Sequence, residues 1–128
     1  MLNKEIGANI WLIPDAYLPT IGDPDLPSHE ATCILNINKK PAKIRFTFYF
    51  EDREPIESKE IILSPERTWH VRLDNAEEIL GVKLETGIPF AIKVESDTKI
   101  VVQHSRLDTR QPNLAYMTSM AWTEPTKS

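Results

Sequence analysis

Ile44-Arg45-Phe46-Thr47-Phe48-Tyr49-Phe50 alternates without a break. In an extended chain successive side chains point to opposite faces, so Ile44, Phe46, Phe48 and Phe50 share one face and Arg45, Thr47 and Tyr49 the other. A stretch of this kind is a strand with one face in a core and one in a wetter environment. The same period recurs outward from it. Trp69, Val71 and Leu73 oppose His70 and Arg72, and Phe90, Ile92 and Val94 oppose Ala91, Lys93 and Glu95. Residues 99–107 carry the β-branched run Ile100-Val101-Val102, which favours strand. Further strands are predicted at 8–13, 30–37, 59–63 and 114–122.

The connections agree with that pattern. Ten prolines and clusters such as Gly22-Asp23-Pro24-Asp25 and Asn38-Lys39-Lys40-Pro41 divide the apolar runs. Many short strands between such breaks predict an all-β, single-domain antiparallel β-sandwich, jelly-roll-like, with at most one short helix. That helix is placed at Asn75–Leu80, with Asp74 or Asn75 as cap and Gly81 as terminator. Residues 14–28, with four prolines, form the longest irregular piece, and long ordered loops often carry function. The domain is expected to span 1–123, followed by a flexible tail at 124–128.

Length and composition narrow the functional classes. The 128 residues can bury one core without staples. No apolar run approaches the ~20 residues of a membrane span. Met1-Leu2-Asn3-Lys4-Glu5 lacks the features of a signal peptide, and the lone Cys33 cannot form an intrachain disulfide. A cytoplasmic location is expected. With 15 basic and 19 acidic residues the formal net charge is −4, and no basic stripe marks a nucleic-acid binder.

No phosphate-binding glycine loop, Gly-x-Ser-x-Gly elbow or Cys-x-x-Cys pair is present. Cys33, within Thr32-Cys33-Ile34-Leu35, reads as a small hydrophobe rather than a nucleophile. The three histidines, His29, His70 and His104, would form a metal site only if they converged, and the jelly-roll spacing of two histidines two residues apart before a glutamate is absent. No catalytic residue, metal ligand or cofactor is therefore assigned. The densest polar run is Gln103-His104-Ser105-Arg106-Leu107-Asp108-Thr109-Arg110-Gln111. Its arginines are suited to clamping a carboxylate or phosphate. They are equally suited to pairing with Asp108 and Glu30 across a subunit interface, and the two readings weigh about evenly. Candidate ligand- or partner-binding residues are His29, Glu30, His70, Arg72, His104, Arg106, Asp108 and Arg110, with Trp11 or Trp69 as an aromatic platform. Core or interface roles are favoured for at least two of the three tryptophans, and Trp122 suits an oligomer contact.

Four runs carry a resemblance. They are Ser28-His29-Glu30-Ala31-Thr32-Cys33-Ile34-Leu35-Asn36, Phe48-Tyr49-Phe50-Glu51-Asp52-Arg53-Glu54-Pro55, Arg67-Thr68-Trp69-His70-Val71-Arg72, and Ile100-Val101-Val102 continuing to Gln111. In order and spacing, from about Gly7 to Ala121, the chain resembles the soluble transducer family of the Anabaena sensory rhodopsin. The opening Trp11 … Asp15-Ala16-Tyr17-Leu18-Pro19 is also similar, with Ala16 where the family has glycine, and the segments 20–27 and 74–89 differ. The resemblance implies a small cytoplasmic β-sandwich that forms homotetramers, docks on a membrane photoreceptor and relays its signal. It also implies likeness to carbohydrate-binding sandwich modules, hence the alternative of a sugar-like ligand. DNA binding has been proposed for the family, and the negative charge argues against it here.

Overall fold

The structure, a computed structural model, describes residues 4–125. Among these the chain forms ten strands: β1 Ala8–Tyr17, β2 Gly22–Asp23, β3 Leu26–Pro27, β4 His29–Asn36, β5 Ala42–Phe50, β6 Ile56–Glu57, β7 Ile61–Leu63, β8 Arg67–Arg72, β9 Pro89–Asp108 and β10 Ala115–Met120. A 3-10 turn at Leu73–Asn75 leads into one short helix, α1 Ala76–Leu80. Gly81 ends α1 in the left-handed conformation, at φ 72°, as glycine there allows. The expected cap is not made: Asn75 precedes the helix but its side chain bonds no helical N–H, and the 3-10 turn feeds the helix instead.

Ile44, Phe46 and Phe48 are fully buried, and so are Val71, Leu73, Ile92, Val94, Ile100 and Val102. The alternation therefore placed the core face correctly on each of these strands. One predicted solvent-side residue differs, since Thr47 is buried opposite Glu57 and Lys93.

The sheet is antiparallel throughout and eight-stranded, and β2 and β3 pair separately as a small hairpin. Its two halves share β9. Residues 89–96 of β9 lie between β1 and β5, and β5 also pairs β6 and β7. Residues 101–108 lie between β4 and β10, with β8 beyond β4. The two strands predicted at 90–95 and 99–107 are thus one strand of 20 residues that turns a corner. The polar Ser96-Asp97-Thr98 reads as a break in sequence and is a bulge in the structure. Ala8 pairs Ile100 but Ile10 pairs Glu95, so extra β9 residues are accommodated there. Side chains take over the lost pairing. Asn9 Nδ2 donates to the carbonyls of Ser96 (3.0 Å) and Asp97 (3.2 Å), Trp11 Nε1 to Ile100 O (2.8 Å), and the Asp97 carboxylate accepts Lys43 N–H (2.8 Å). Curling at this corner lets both halves enclose one core.

β1 has a second irregularity. Ile13 pairs Ile92 but Ala16 pairs Phe90, so Pro14 and Asp15 together stand opposite Ala91 and the strand carries one extra residue. Proline has no N–H to give a ladder and is tolerated at such bulges. Ala16 is fully buried, and no positive φ falls on it, so alanine serves where the family has glycine. The chain closes on β1 again after β10. Leu12 N–H donates to Trp122 O (2.7 Å) and Trp122 N–H to Leu12 O (2.9 Å). Glu124 and Pro125 are exposed, and the remainder of the expected tail, 126–128, lies outside the described residues.

Candidate functional site

The inward face of β4 and the second half of β9 changes from apolar to polar along the strands. Register places Ile34 beside Val102, Thr32 beside His104 and Glu30 beside Arg106. Glu30 is fully buried. Its Oε1 accepts His104 Nε2 (2.9 Å), Arg106 Nη2 (3.0 Å) and Arg106 Nε (3.2 Å). Tyr17 N–H donates to both carboxylate oxygens, at 2.8 Å and 3.1 Å. The Pro14-Asp15 bulge makes this possible, because it turns the end of β1 so that Tyr17 N–H points at Glu30 rather than at β9. A buried carboxylate needs partners for its lone pairs, and this one has a cation, a ring N–H and a backbone N–H. Nε2 of His104 donates to the carboxylate, and its Nδ1 lies 3.2 Å from the Thr32 hydroxyl, so the ring is held from both sides.

A second layer surrounds this cluster. The Arg106 and Arg110 guanidinium carbons lie 5.6 Å and 5.8 Å from the centre of the Tyr17 ring. Arg110 is held by Asp108, with Nη2–Oδ2 at 2.7 Å and the Arg110 N–H on Oδ1 at 3.0 Å. Those bonds hold the Asp108 carboxyl below the usual carboxylate range. Below them Ser28 and Thr109 clasp the proline-rich segment to the end of β9. Thr109 N–H donates to Ser28 Oγ (2.8 Å), and Thr109 Oγ1 donates to Ile21 O (3.1 Å) and accepts Asp23 N–H (3.1 Å). The segment expected to be irregular therefore carries a hairpin, β2–β3, tied down by two hydroxyl side chains.

The structure brings together Glu30, His104, Arg106, Asp108 and Arg110, with half-exposed His29 nearby at the start of β4, its Nδ1 3.3 Å from Pro27 O. It separates the others. Register sets His70 beside Cys33 and Gln103, whereas His104 sits beside Thr32, so His70 and His104 point to opposite faces of the sheet. Arg72 pairs with Asp74 at 2.8 Å on the far edge strand. Trp69 packs half-buried against the core, and Trp11 is buried in it, so neither is an aromatic platform beside the cluster. The arginine pairs anticipated across a subunit interface form within the chain. Cys33 is half-buried on the outward face rather than in the core, and burial pushes its thiol pKa up. Among the described residues no group of three or more His, Cys, Asp or Glu side chains converges to hold a metal ion.

Above Glu30, His104 and Arg106 a cleft of about 300 Å³ opens between Ile13–Asp15 of β1 and Met117–Ala121 at the end of β10. The Leu12–Trp122 bridge closes one end of it. Asp15 stands at its rim, with its side chain 89% exposed and 4.0 Å from Arg106 Nη2. Tyr17, Thr32, Asp15 and Ser28 were not among the residues singled out from sequence. Glu30 and Tyr17 are joined only by the curl of the sheet, and no local spacing signals that contact.

On the opposite, outward face of β4, β9 and β10 several apolar side chains stay uncovered. Leu35, Tyr116 and Met120 are exposed, Tyr116 at 66%. Trp122, at 53%, is exposed beyond them. No helix among the described residues is long and apolar enough to cross a membrane.

Comparison with known proteins places the chain. A family model described as Anabaena sensory rhodopsin transducer matches residues 6–123. A crystal structure of Thermotoga maritima 1070 superposes with a TM-score of 0.83 at 37% identity, covering 92% of this chain and 96% of that one. The structure of the Anabaena sensory rhodopsin transducer superposes with a TM-score of 0.73 at 34% identity, covering 84% and 94%. No curated protein matches. Since the family model spans nearly the whole chain and both solved structures share its fold and are identical to it at more than a third of aligned positions, the chain belongs to the Anabaena sensory rhodopsin transducer family.

Proposed function

We propose that the chain is a soluble, cytoplasmic transducer-type adaptor without catalytic activity. It works as a homotetramer and binds a protein partner, a membrane photoreceptor of the sensory rhodopsin class. The observation that carries this reading is how the polar cluster is used. Glu30 is buried and held by its own chain, with Oε1 accepting from His104 and Arg106 and Oε2 from Tyr17 N–H. It acts as a brace, since a buried carboxylate tied to a cation, a ring nitrogen and a backbone N–H holds three strands together. Binding then falls to surfaces, and the outward face bearing Leu35, Tyr116 and Met120 has the apolar, aromatic and methionine character typical of interface cores. The transducer relationship supports a protein partner, and the photoreceptor is the class tested first, with another protein as the alternative.

Sedimentation over a range of concentrations tests the assembly. The expected species has four times the chain mass, and Tyr116→Asp shifts it toward smaller species. Sedimentation as a monomer at all concentrations would overturn the tetramer. Titration with a sensory rhodopsin in lipid nanodiscs tests the partner, and absence of binding heat would overturn that assignment.

A second reading is favoured by the cleft. Its exposed Asp15 carboxylate and the Arg106 guanidinium 4.0 Å away offer an acceptor and a donor to the hydroxyls of a sugar-like ligand. Titration with a monosaccharide panel decides it, because that reading requires saturable binding that Asp15→Asn weakens.

A further inference from the structure

The cleft is also the free edge of a sheet. β10 pairs β9 on one side only. Ala121 N–H donates to Val102 O, towards β9, while Trp122 exchanges both backbone bonds with Leu12, towards β1. Alternate residues of an antiparallel strand direct their backbone groups to opposite sides. Tyr116, Thr118 and Met120 therefore share the direction of Trp122. Their three N–H and three C=O groups face away from β9, and no group among the described residues bonds them. Across the cleft, the bulge with Pro14 interrupts the ladder edge of β1, so β1 does not supply the missing partner.

We propose that this edge receives an extended peptide segment of the partner protein by strand addition, in register with the Leu12–Trp122 bridge. The proposal rests on the partner-binding reading above and deepens it by naming the form of the docking segment. The cleft decides between occupants. An edge that looks into a slot walled by Ile13–Asp15 and closed at one end is reachable by a free strand but not by the edge of a second folded sheet. Main-chain bonds give the affinity in such complexes, and alternate side-chain pockets give the selectivity. Here the walls are Met117 and Ala121 for an apolar side chain. Asp15 at the rim and Arg106 behind it favour a segment whose neighbouring side chains are basic and polar.

The test uses the intact chain and a phage-displayed library of linear decapeptides. Each enriched peptide is then synthesised unmodified and with alternate amides N-methylated. Thr118→Pro removes one outward N–H without touching a backbone bond to β9, but it also removes the hydroxyl that accepts Gln103 Nε2 of β9; Thr118→Val removes that same hydroxyl and keeps the N–H, so the difference between the two variants isolates the backbone group. Enriched peptides are expected to bind Thr118→Val as they bind the unaltered chain and to lose at least about fivefold on Thr118→Pro, the cost of roughly one hydrogen bond. N-methylation in one of the two alternating registers should abolish binding, a readout that holds even if Thr118→Pro does not fold. Bound peptide should slow amide exchange at Tyr116, Thr118 and Met120. Failure to enrich any peptide, or indifference to N-methylation in both registers, overturns strand addition. Protection of the same amides that rises with the chain's own concentration in the absence of peptide assigns the edge to a second copy and likewise overturns it. Rhodopsin binding in the nanodisc titration that persists in either case leaves the partner-binding reading standing.

Discussion

Glu30→Ala is the substitution that tests the central brace. It removes a carboxylate with no solvent exposure whose partners stay behind. Arg106, with a side chain only 19% exposed, loses its close counter-charge, and Asp15 at 4.0 Å is too exposed to replace it. Tyr17 N–H and His104 Nε2–H lose their acceptor. Breaking a buried ion pair from one side costs about 3–5 kcal/mol, because the remaining charge is uncompensated. An orphaned buried donor adds about 1–3 kcal/mol where water cannot reach it. The cleft admits some water, so the lower total of about 3–5 kcal/mol is expected. Glu30→Gln keeps the volume and one acceptor oxygen but turns an NH2 towards other donors, and about 2–3 kcal/mol is expected from that mismatch. The assay is urea unfolding followed by tryptophan fluorescence at one fixed protein concentration, since association shifts midpoints by mass action. With a slope of roughly 1.5 kcal/mol/M, Glu30→Ala should lower the midpoint by about 2–3 M. The double change Glu30→Met/Arg106→Met should recover much of the loss, since it removes the stranded charge together with its partner. A loss below about 1 kcal/mol for Glu30→Ala, or a double variant as unstable as the sum of its singles, would refute the brace.

Three further outcomes follow from the geometry. Gly7→Ala should destabilise by about 2–4 kcal/mol by thermal unfolding, because φ is 113° there and the added Cβ would stand 2.3 Å from Ile100 O at the β9 corner. Phe46→Ala should cost about 3–5 kcal/mol in urea, as truncation of a fully buried aromatic at the centre of the core. The third concerns acid. Arg110 lowers the pKa of Asp108 in the folded chain, so this carboxylate stabilises the fold above its unfolded pKa of about 3.9, and the contribution is lost as pH falls further through the folded value. Urea midpoints at pH 6 and pH 3 should therefore fall less in Asp108→Asn than in the unaltered chain, and an equal fall in both would count against the pair.

Much of the fold was legible because strand burial is a local property written with a period of two. Phe46, Phe48, Val71, Ile92 and Val102 announce their face through their neighbours, and the structure buries each of them. Gly81 likewise reads as a helix stop because few other residues enter the left-handed region at low cost. The polar run from His104 to Arg110 marked one half of the site, since charged side chains that close a β-branched strand invite partners.

The other half was not legible, and the reasons are physical. Ser96-Asp97-Thr98 carries turn-forming residues, yet Asn9, Trp11 and Lys43 supply the bonds that turn it into a corner of one continuous strand. Those donors are distant in sequence and arrive only when the sheet curls. His29, His70 and His104 look equivalent in sequence, but the face each occupies depends on strand register, which a one-residue slip reverses. Composition and periodicity thus settle that the chain is an all-β domain and which apolar faces of its regular strands enter the core, because burial there is decided between near neighbours. Tertiary structure alone decides that Glu30 meets Tyr17, His104 and Arg106, and that β10 leaves an unpaired edge beside them, because hydrogen bonds between strands join residues whose separation along the chain carries no period to read.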